Sequence, residues 1–384
     1  MRIGRGLIVL LVVAFSASSA MAGGFRLPEA GAKAMGMGFA FTAQADDPSA
    51  IYFNPAGIMQ LEGVNVMTGG TYIDANGGSF TGITPLTRGA IQGETQKDQI
   101  FVIPNAYFTH RVSPKLAWGI GVFSPFGLGQ RYQDTPLSIF RNQVREINLQ
   151  TVVVNPTIAY KVNEYLSVGG GIDFMYGKAK LKKTTVADVG AFVDLAKSSL
   201  TGDGTAWAFN LGALISPTKE VKVGLSYRTP FTLKVHKGDL FLTELNNTVP
   251  ITAFGGLTMR AGLGGVDIFH TKGTTYINMP ATAAVGVSYT LDKLTLEADA
   301  DFTFWSSFKR FDIDYDDPLG RVPATRSTRN YRDTVAFYLG GEYRVTKPLA
   351  LRLGFRYDPT PVSAQYMSPD LPDGTKLYYS AGMG

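Results

Sequence analysis

From Val64 to its C-terminus this chain is written in period two. Leu166, Val168, Ile172, Phe174 and Tyr176 share one face, against Ser167, Gly169, Gly171, Asp173 and Met175 on the other. Leu294, Leu296, Ala298, Ala300, Phe302 and Phe304 oppose Thr295, Glu297, Asp299, Asp301 and Thr303, and Leu349, Leu351, Leu353, Phe355 and Tyr357 oppose Arg352 and Arg356. Strict alternation of this kind is the mark of strands with two unlike faces. Alternation alone fits a soluble sandwich as well as a barrel, and three features separate them. The polar faces are rich in glycine and carry charges of both signs, and Tyr and Phe gather at segment ends. Connection lengths also alternate. Tight turns fall at Ser113-Pro114-Lys115, Val162 to Tyr165, Pro217-Thr218-Lys219, Leu291-Asp292-Lys293 and Thr346-Lys347, with loops of about 15 to 40 residues between them. Short turns at one end and long loops at the other predict an all-β fold, a transmembrane antiparallel β-barrel, which satisfies every backbone group internally as lipid requires.

Twelve strands are expected: Val64–Asp74, Gln99–Val112, Lys115–Phe123, Leu149–Tyr160, Tyr165–Lys183, Thr205–Ser216, Val221–Val235, Thr275–Tyr289, Leu294–Asp314, Tyr331–Val345, Leu349–Asp358 and Lys376–Gly384. Residues 1–22 precede them with Arg2 and Arg5, the apolar run Leu7 to Phe15, and Ala20-Met21-Ala22, the layout of a removable signal peptide. That run is too short to span a bilayer as a helix, which takes about 20 residues. Residues 23–63 show no alternation and predict a compact plug, so the domains read as signal peptide 1–22, plug 23–63 and barrel 64–384. Within the plug, Asp46 or Asp47 caps a turn beginning at Pro48, which must stop near Phe53 because Asn54 precedes a proline. Asn54 then caps a second turn from Pro55 toward Gln60, making Asn54-Pro55-Ala56 a rigid elbow expected to touch the barrel wall, with Phe123 to Leu128 as the wall segment.

Composition removes several functions. There is no cysteine, hence no disulfide or thiolate chemistry, and only three histidines, His110, His236 and His270, lie far apart. A net charge of +5 spread over 384 residues does not indicate a nucleic-acid partner. Gly36-Met37-Gly38 lacks the preceding strand and the βαβ unit of a dinucleotide fingerprint. Asp312, Asp314 and Asp316 are spaced like a calcium loop, yet Asp317 stands where glycine is required and Pro323 where a bidentate Glu belongs. No metal or cofactor site is expected.

Gly24-Phe25, Glu29, Gly36, Asp46-Asp47 and Asn54-Pro55-Ala56, followed by Pro104-Asn105-Ala106-Tyr107, Ser124 to Leu128, Tyr176 to Lys183, Trp305-Ser306-Ser307-Phe308 and Lys376 to Gly384, resemble the FadL-type family of outer-membrane long-chain fatty acid and hydrocarbon transporters. The resemblance covers essentially the whole mature chain. It implies a fourteen-stranded barrel with an N-terminal hatch in the lumen, so this sequence ends about two strands early and reads as truncated at its C-terminus. It implies passive uptake in a Gram-negative outer membrane. A hydrophobic molecule lands on an apolar groove among the loops, enters a pocket, and leaves sideways through a gap beside an inwardly kinked strand. The implied partners are a long-chain fatty acid or hydrocarbon, outer-membrane lipid and lipopolysaccharide, and the barrel-assembly machinery, for a monomer that binds no nucleic acid.

Local residues give that scheme candidates. Pro125 and Gly127 weaken pairing at the top of a strand, either as the lateral gap or as an ordinary loop entry. Leu137 and Phe140 lie in an amphipathic stretch suited to the landing groove, and Phe241 and Phe254 belong to a second apolar loop, 240–269. A buried carboxylate head group needs a cation. Alternation from Asp173 points Lys183 inward as first choice, with inward Arg228 next, while Lys178, Lys180 and Lys182 face outward toward lipopolysaccharide phosphate. Glu297, Asp299 and Asp301 are expected to pair with Arg352 and Arg356 as a structural lumen network. Two other functions fit less well: an outer-membrane lipid hydrolase, for which no G-x-S-x-G element exists, and an adhesin or structural barrel, which has no need of a plug.

Overall fold

A computed structural model describes residues 24–75, 77–250 and 256–384; the expected signal peptide and Phe254 lie outside them. The N-terminal segment holds two short helices, α1 (Ala32–Gly36) and α2 (Ala50–Phe53), and a 3-10 turn at Pro55–Gln60. Strands follow as β1 (Val64–Ala75), β2 (Ser79–Gly82), β3 (Gln92–Thr95), β4 (Gln99–Ser113), β5 (Leu116–Phe123), β6 (Gly127–Arg131), β7 (Glu146–Lys161), β8 (Leu166–Asp188), β9 (Phe192–Ile215) and β10 (Val221–Arg228). The remainder are β11 (Phe231–Thr243), β12 (Phe269–Met279), β13 (Thr282–Leu291), β14 (Leu294–Thr303), β15 (Arg310–Tyr315), β16 (Thr325–Thr328), β17 (Thr334–Thr346), β18 (Leu349–Asp358) and β19 (Lys376–Met383).

All but β2 and β3 join one antiparallel sheet of 17 strands. Five pairs, β5 with β6, β10 with β11, β12 with β13, β14 with β15 and β16 with β17, lie end to end on shared neighbours, which leaves twelve staves in that sheet. Each overlaps a stretch where alternation predicts a strand, with β9 beginning at Phe192 rather than Thr205 and β8 running on to Asp188. Several breaks within staves fall at prolines, Pro125, Pro230 and Pro280, because proline brings no N–H to a ladder. The small hairpin of β2 and β3 was not anticipated.

Among the described residues the ladders leave β1 and β19 as the two edges, each with a single partner, β4 and β18. The α1 region reaches both: Thr71 on β1 donates to the Met35 sulfur at 3.3 Å, and the Gly38 N–H donates to Ser380 on β19 at 2.9 Å. Outward side chains such as Phe174, Trp207, Phe209, Phe337 and Leu353 are exposed, whereas inward neighbours such as Met175, Ala206, Ala208 and Ala336 are buried. No helix of the described residues is long and apolar enough to cross a membrane, so any crossing falls to the strands. The core lies inside the sheet, where Phe25, Ile51 and Ile58 of the N-terminal segment pack with Phe123, Val153, Met175 and Phe231 of the wall.

Candidate functional site

The N-terminal segment folds locally much as its caps dictate. Asp47 accepts the Ser49 N–H at 2.8 Å, α2 stops at Phe53, and Asn54 accepts the Ala56 N–H at 3.2 Å to start the 3-10 turn. What fixes it to the wall is a column of carboxylates at alternate, inward positions of β14. Glu297 accepts the N–H groups of Ala43 and Gln44 at 2.7 and 2.9 Å, Asp299 accepts those of Phe41 and Thr42, both at 2.9 Å, and Asp301 takes the Arg26 guanidinium at 2.5 and 2.9 Å. This corrects the expected pairing with Arg352 and Arg356. Arg352 instead binds Glu342 at 2.7 Å, and Arg356 binds Asp358 inside a box of Phe39, Tyr338 and Tyr378. Backbone donors and one cation meet the three adjacent carboxyl groups, leaving Asp299 Oδ1 as the oxygen without a partner among the described residues. The loop before β19 adds a further tie: Asp373, whose carboxyl burial lifts to about 7, accepts the Gly24 N–H at 3.3 Å.

The elbow docks elsewhere than expected. Asn54 donates to the carbonyls of Thr42 and Ala213 at 2.8 and 3.0 Å, and Pro55-Ala56 runs so close to β8 that a Cβ on Gly169 would stand 2.7 Å from the Ala56 nitrogen. Its wall is β8 and β9, not Phe123 to Leu128. That stretch is instead met by the start of the segment: Leu27 donates to the Pro125 carbonyl at 2.8 Å, and Gly127 donates to the Phe25 carbonyl at 2.9 Å.

At Ser124-Pro125-Phe126 the wall itself is broken. Phe123 pairs with Val153 and Gly127 with Gln150, so three residues face the two residues Thr151 and Val152, and the extra one bulges. On the other side, β4 pairs with β5 only up to Ala106 opposite Val122, although β4 runs on to Gln99 against β1. Ladder pairing between β4 and its neighbour therefore stops at the break.

Directly beside it lies a small apolar cavity of about 50 Å³. Phe25 forms its floor with Leu128, Leu149, Leu181, Ile277 and Phe308 around it, and Asp370 and Leu371 contribute from the loop before β19. Lys183 occupies the inward position after Leu181 on β8 and has no hydrogen bond or ion pair among the described residues; Asp370 is the charge acting on it. Asp370 is held by Arg329 at 2.5 and 3.1 Å, and Arg329 is itself buried with its Nε unsatisfied.

A family model described as "Outer membrane protein transport protein (OMPP1/FadL/TodX)" matches residues 13–384. The chain belongs to that family. It is 25% identical to a long-chain fatty acid transport protein of Escherichia coli over 97% of this chain and 85% of that one. Among solved structures it superposes on a Pseudomonas aeruginosa FadL homologue with TM-score 0.76 at 20% identity, covering 94% of this chain and 86% of the other. It superposes on the Pseudomonas putida toluene transporter TodX with TM-score 0.69 at 17% identity, covering 94% and 89%. These likenesses make the fold a transmembrane β-barrel of the outer membrane. As a member of the OMPP1/FadL/TodX family the protein is an outer-membrane transport channel for hydrophobic compounds, not an enzyme.

In this family member the remaining candidates scatter. Arg228 is inward but committed: it lies 3.1 Å from Asp173 and over the rings of Tyr52 and Phe123, so it offers no free charge. Phe140 is fully buried against Phe80 and Tyr132, while Leu137 is 88% exposed. Phe241 points away from the lumen and stacks on His270 at 4.5 Å, which removes it from an internal site. The apolar residues around it, Leu240, Leu242, Met259 and Leu263, pack among themselves. Arg329 was missed because it sits in the break between β16 and β17, where no alternation tells inward from outward.

Proposed function

We propose that this channel takes up long-chain fatty acids and releases them sideways into the membrane, with the N-terminal segment as the plug that closes the axial path. What supports this reading is an apolar cavity lined by Phe25 and Leu128 beside the broken stave at Ser124–Phe126, and lined also by Asp370, which is paired with Arg329 and is the charge acting on Lys183. An acyl chain gains by burial against Leu149, Leu181 and Ile277, at about 25 cal/mol per Å². Its carboxylate is then met by Lys183 and by Arg329, which exchanges part of its contact with Asp370. Exit between β4 and β6 breaks no strand ladder and parts only the Lys97 N–H to Arg131 carbonyl and Gln99 side chain to Gly129 carbonyl bonds. Landing on the outer loops is assigned to the exposed Leu137.

The test is uptake of radiolabelled oleate and of toluene by cells carrying the protein as their sole channel of this type. Lys183→Ala with Arg329→Ala should lower oleate uptake severalfold and spare toluene. Equal effects on both compounds would remove the head-group role, and deletion of Pro125, which restores a two-for-two register, should slow both.

A further inference from the structure

The outward surface of β7 to β12 changes character at one level. On β8, Phe174 and Tyr176 point outward and Phe174 packs on Trp207 of β9 with ring centroids 4.6 Å apart. The next three outward positions are Lys178, Lys180 and Lys182, alternating with inward Ala179 and Leu181. Glu146 on β7 lies 2.9 Å from Lys180 and 3.1 Å from Lys182, with Arg131 of β6 3.7 Å away, while Lys178 carries no ion pair among the described residues. Lys234 on β11 continues the row, opposite Thr205 and over the Tyr276 ring at 5.5 Å. The row thus sets Arg131, Lys178, Lys180, Lys182 and Lys234 against only Glu146 and Asp203.

This row lies toward the end of β8 remote from the short turn at Asn163–Tyr165, and in outer-membrane barrels short turns are periplasmic. A lysine facing lipid at the bilayer midplane costs roughly 2–4 kcal/mol but almost nothing at the interface. Lysines placed just beyond a ring of aromatics therefore mark the headgroup level of the outer leaflet. Successive lysines stand about 7 Å apart along the strand, and Lys178 and Lys182 about 14 Å. A single phosphate cannot engage both ends of a row that long, whereas a disaccharide bearing a phosphate at each end can.

We propose that the outward row Lys178, Lys180, Lys182 with Arg131 and Lys234 binds a bisphosphorylated glycolipid of the outer leaflet, its acyl chains lying down over Phe174, Tyr176 and Trp207. Glu146 holds Lys180 and Lys182 side by side, and Lys178, with Asp203 opposite it on β9 but no ion pair among the described residues, keeps its ammonium available. The occupant differs from the transported molecule and sits on the opposite face of the wall.

The full chain in detergent is titrated with bisphosphoryl lipid A, monophosphoryl lipid A, phosphatidylglycerol and inorganic phosphate, with bound lipid counted by native mass spectrometry. The wild type should prefer bisphosphoryl lipid A over phosphatidylglycerol by at least fivefold and ignore inorganic phosphate. The triple variant Lys178→Gln, Lys180→Gln, Lys182→Gln should bind bisphosphoryl lipid A at least tenfold more weakly. A control replacing Lys115, Lys219 and Lys293 of the short turns by Gln should bind as the wild type does, and heat-modifiable gel migration reports folding of both variants. Unchanged binding by the triple variant, equal weakening in the control, or phosphatidylglycerol binding as tightly as lipid A would overturn the proposal. Should the triple variant not fold, Lys178→Glu alone gives the reading: it should weaken binding, and unchanged binding would again refute the site.

Discussion

Arg26, six residues before α1, and Asp301, near the end of β14, form a two-point ion pair with Nη1–Oδ1 at 2.5 Å and Nη2–Oδ2 at 2.9 Å. It ties the start of the N-terminal segment to the same strand whose Glu297 and Asp299 hold the middle of that segment through its backbone. Removing one partner of such a buried pair strands the other charge. Asp301→Ala should therefore weaken docking of the segment by roughly 3–5 kcal/mol. Limited proteolysis should then cut within residues 24–40 while the sheet stays intact; wild-type resistance would show that Arg26 does not hold the segment.

The two carboxylates below Asp301 act on backbone N–H groups. Glu297→Gln leaves one acceptor oxygen where two N–H groups converge and turns an amide donor toward the other, with a loss of about 1.5–3 kcal/mol for a charged acceptor. Amide exchange at Ala43 and Gln44 should accelerate about tenfold or more, and exchange at Ile58 and Met59 should change much less.

Asn54 satisfies three groups at once: the carbonyls of Thr42 and Ala213 and the Ala56 N–H. Asn54→Ala should loosen the elbow from β8 and β9 and raise leakage of small hydrophilic solutes in a liposome-swelling assay. Gly169→Val should do the same by steric means, since its Cβ would stand 2.7 Å from the Ala56 nitrogen.

Gly127 packs against Leu27, and a Cβ there would stand 2.6 Å from Leu27 Cδ1 and force that side chain aside. Gly127→Val should cost about 1–3 kcal/mol of overpacking and push the start of the segment off the broken stave. Crosslinking yield between cysteines introduced at Leu27 and Leu128 should fall in this background.

Asp373 gives a pH dependence of known sign. Its folded carboxyl titrates near 7, above the usual carboxylate range, so between about pH 4 and 7 the folded chain holds a proton that the unfolded chain has lost. Stability of the loop ahead of β19 should therefore fall as pH rises across that window. Hydrogen exchange of this loop should show the trend, and Asp373→Asn should flatten it.

Much of the wall was legible in advance. Alternation located all twelve staves, since a strand that separates lipid from lumen must change side-chain chemistry at every residue. The outward lysines and inward Lys183 followed from the same parity, and Pro125 with Gly127 located the broken stave because proline cannot donate to a ladder. Asp47 and Asn54 fixed the turns of the N-terminal segment through bonds to neighbours two residues away.

Contacts between distant parts of the chain were another matter. Glu297 and Asp299 were expected to find arginines, as carboxylates in a sequence do, yet their donors are N–H groups of residues 41–44, which every residue but proline carries and no sequence advertises. Arg228 looked available until Asp173, Tyr52 and Phe123 surrounded it. The sequence by itself determined which face of each strand is which and where the turns ending at Phe53 and starting at Pro55 lie, though not α1, because those depend on chain parity and on neighbours a few residues apart. Only the tertiary structure decided which strand holds the N-terminal segment, which cation is left free and where the elbow rests. Those follow from curving a long sheet about one segment, and from backbone donors and acceptors that meet across more than 250 residues of chain.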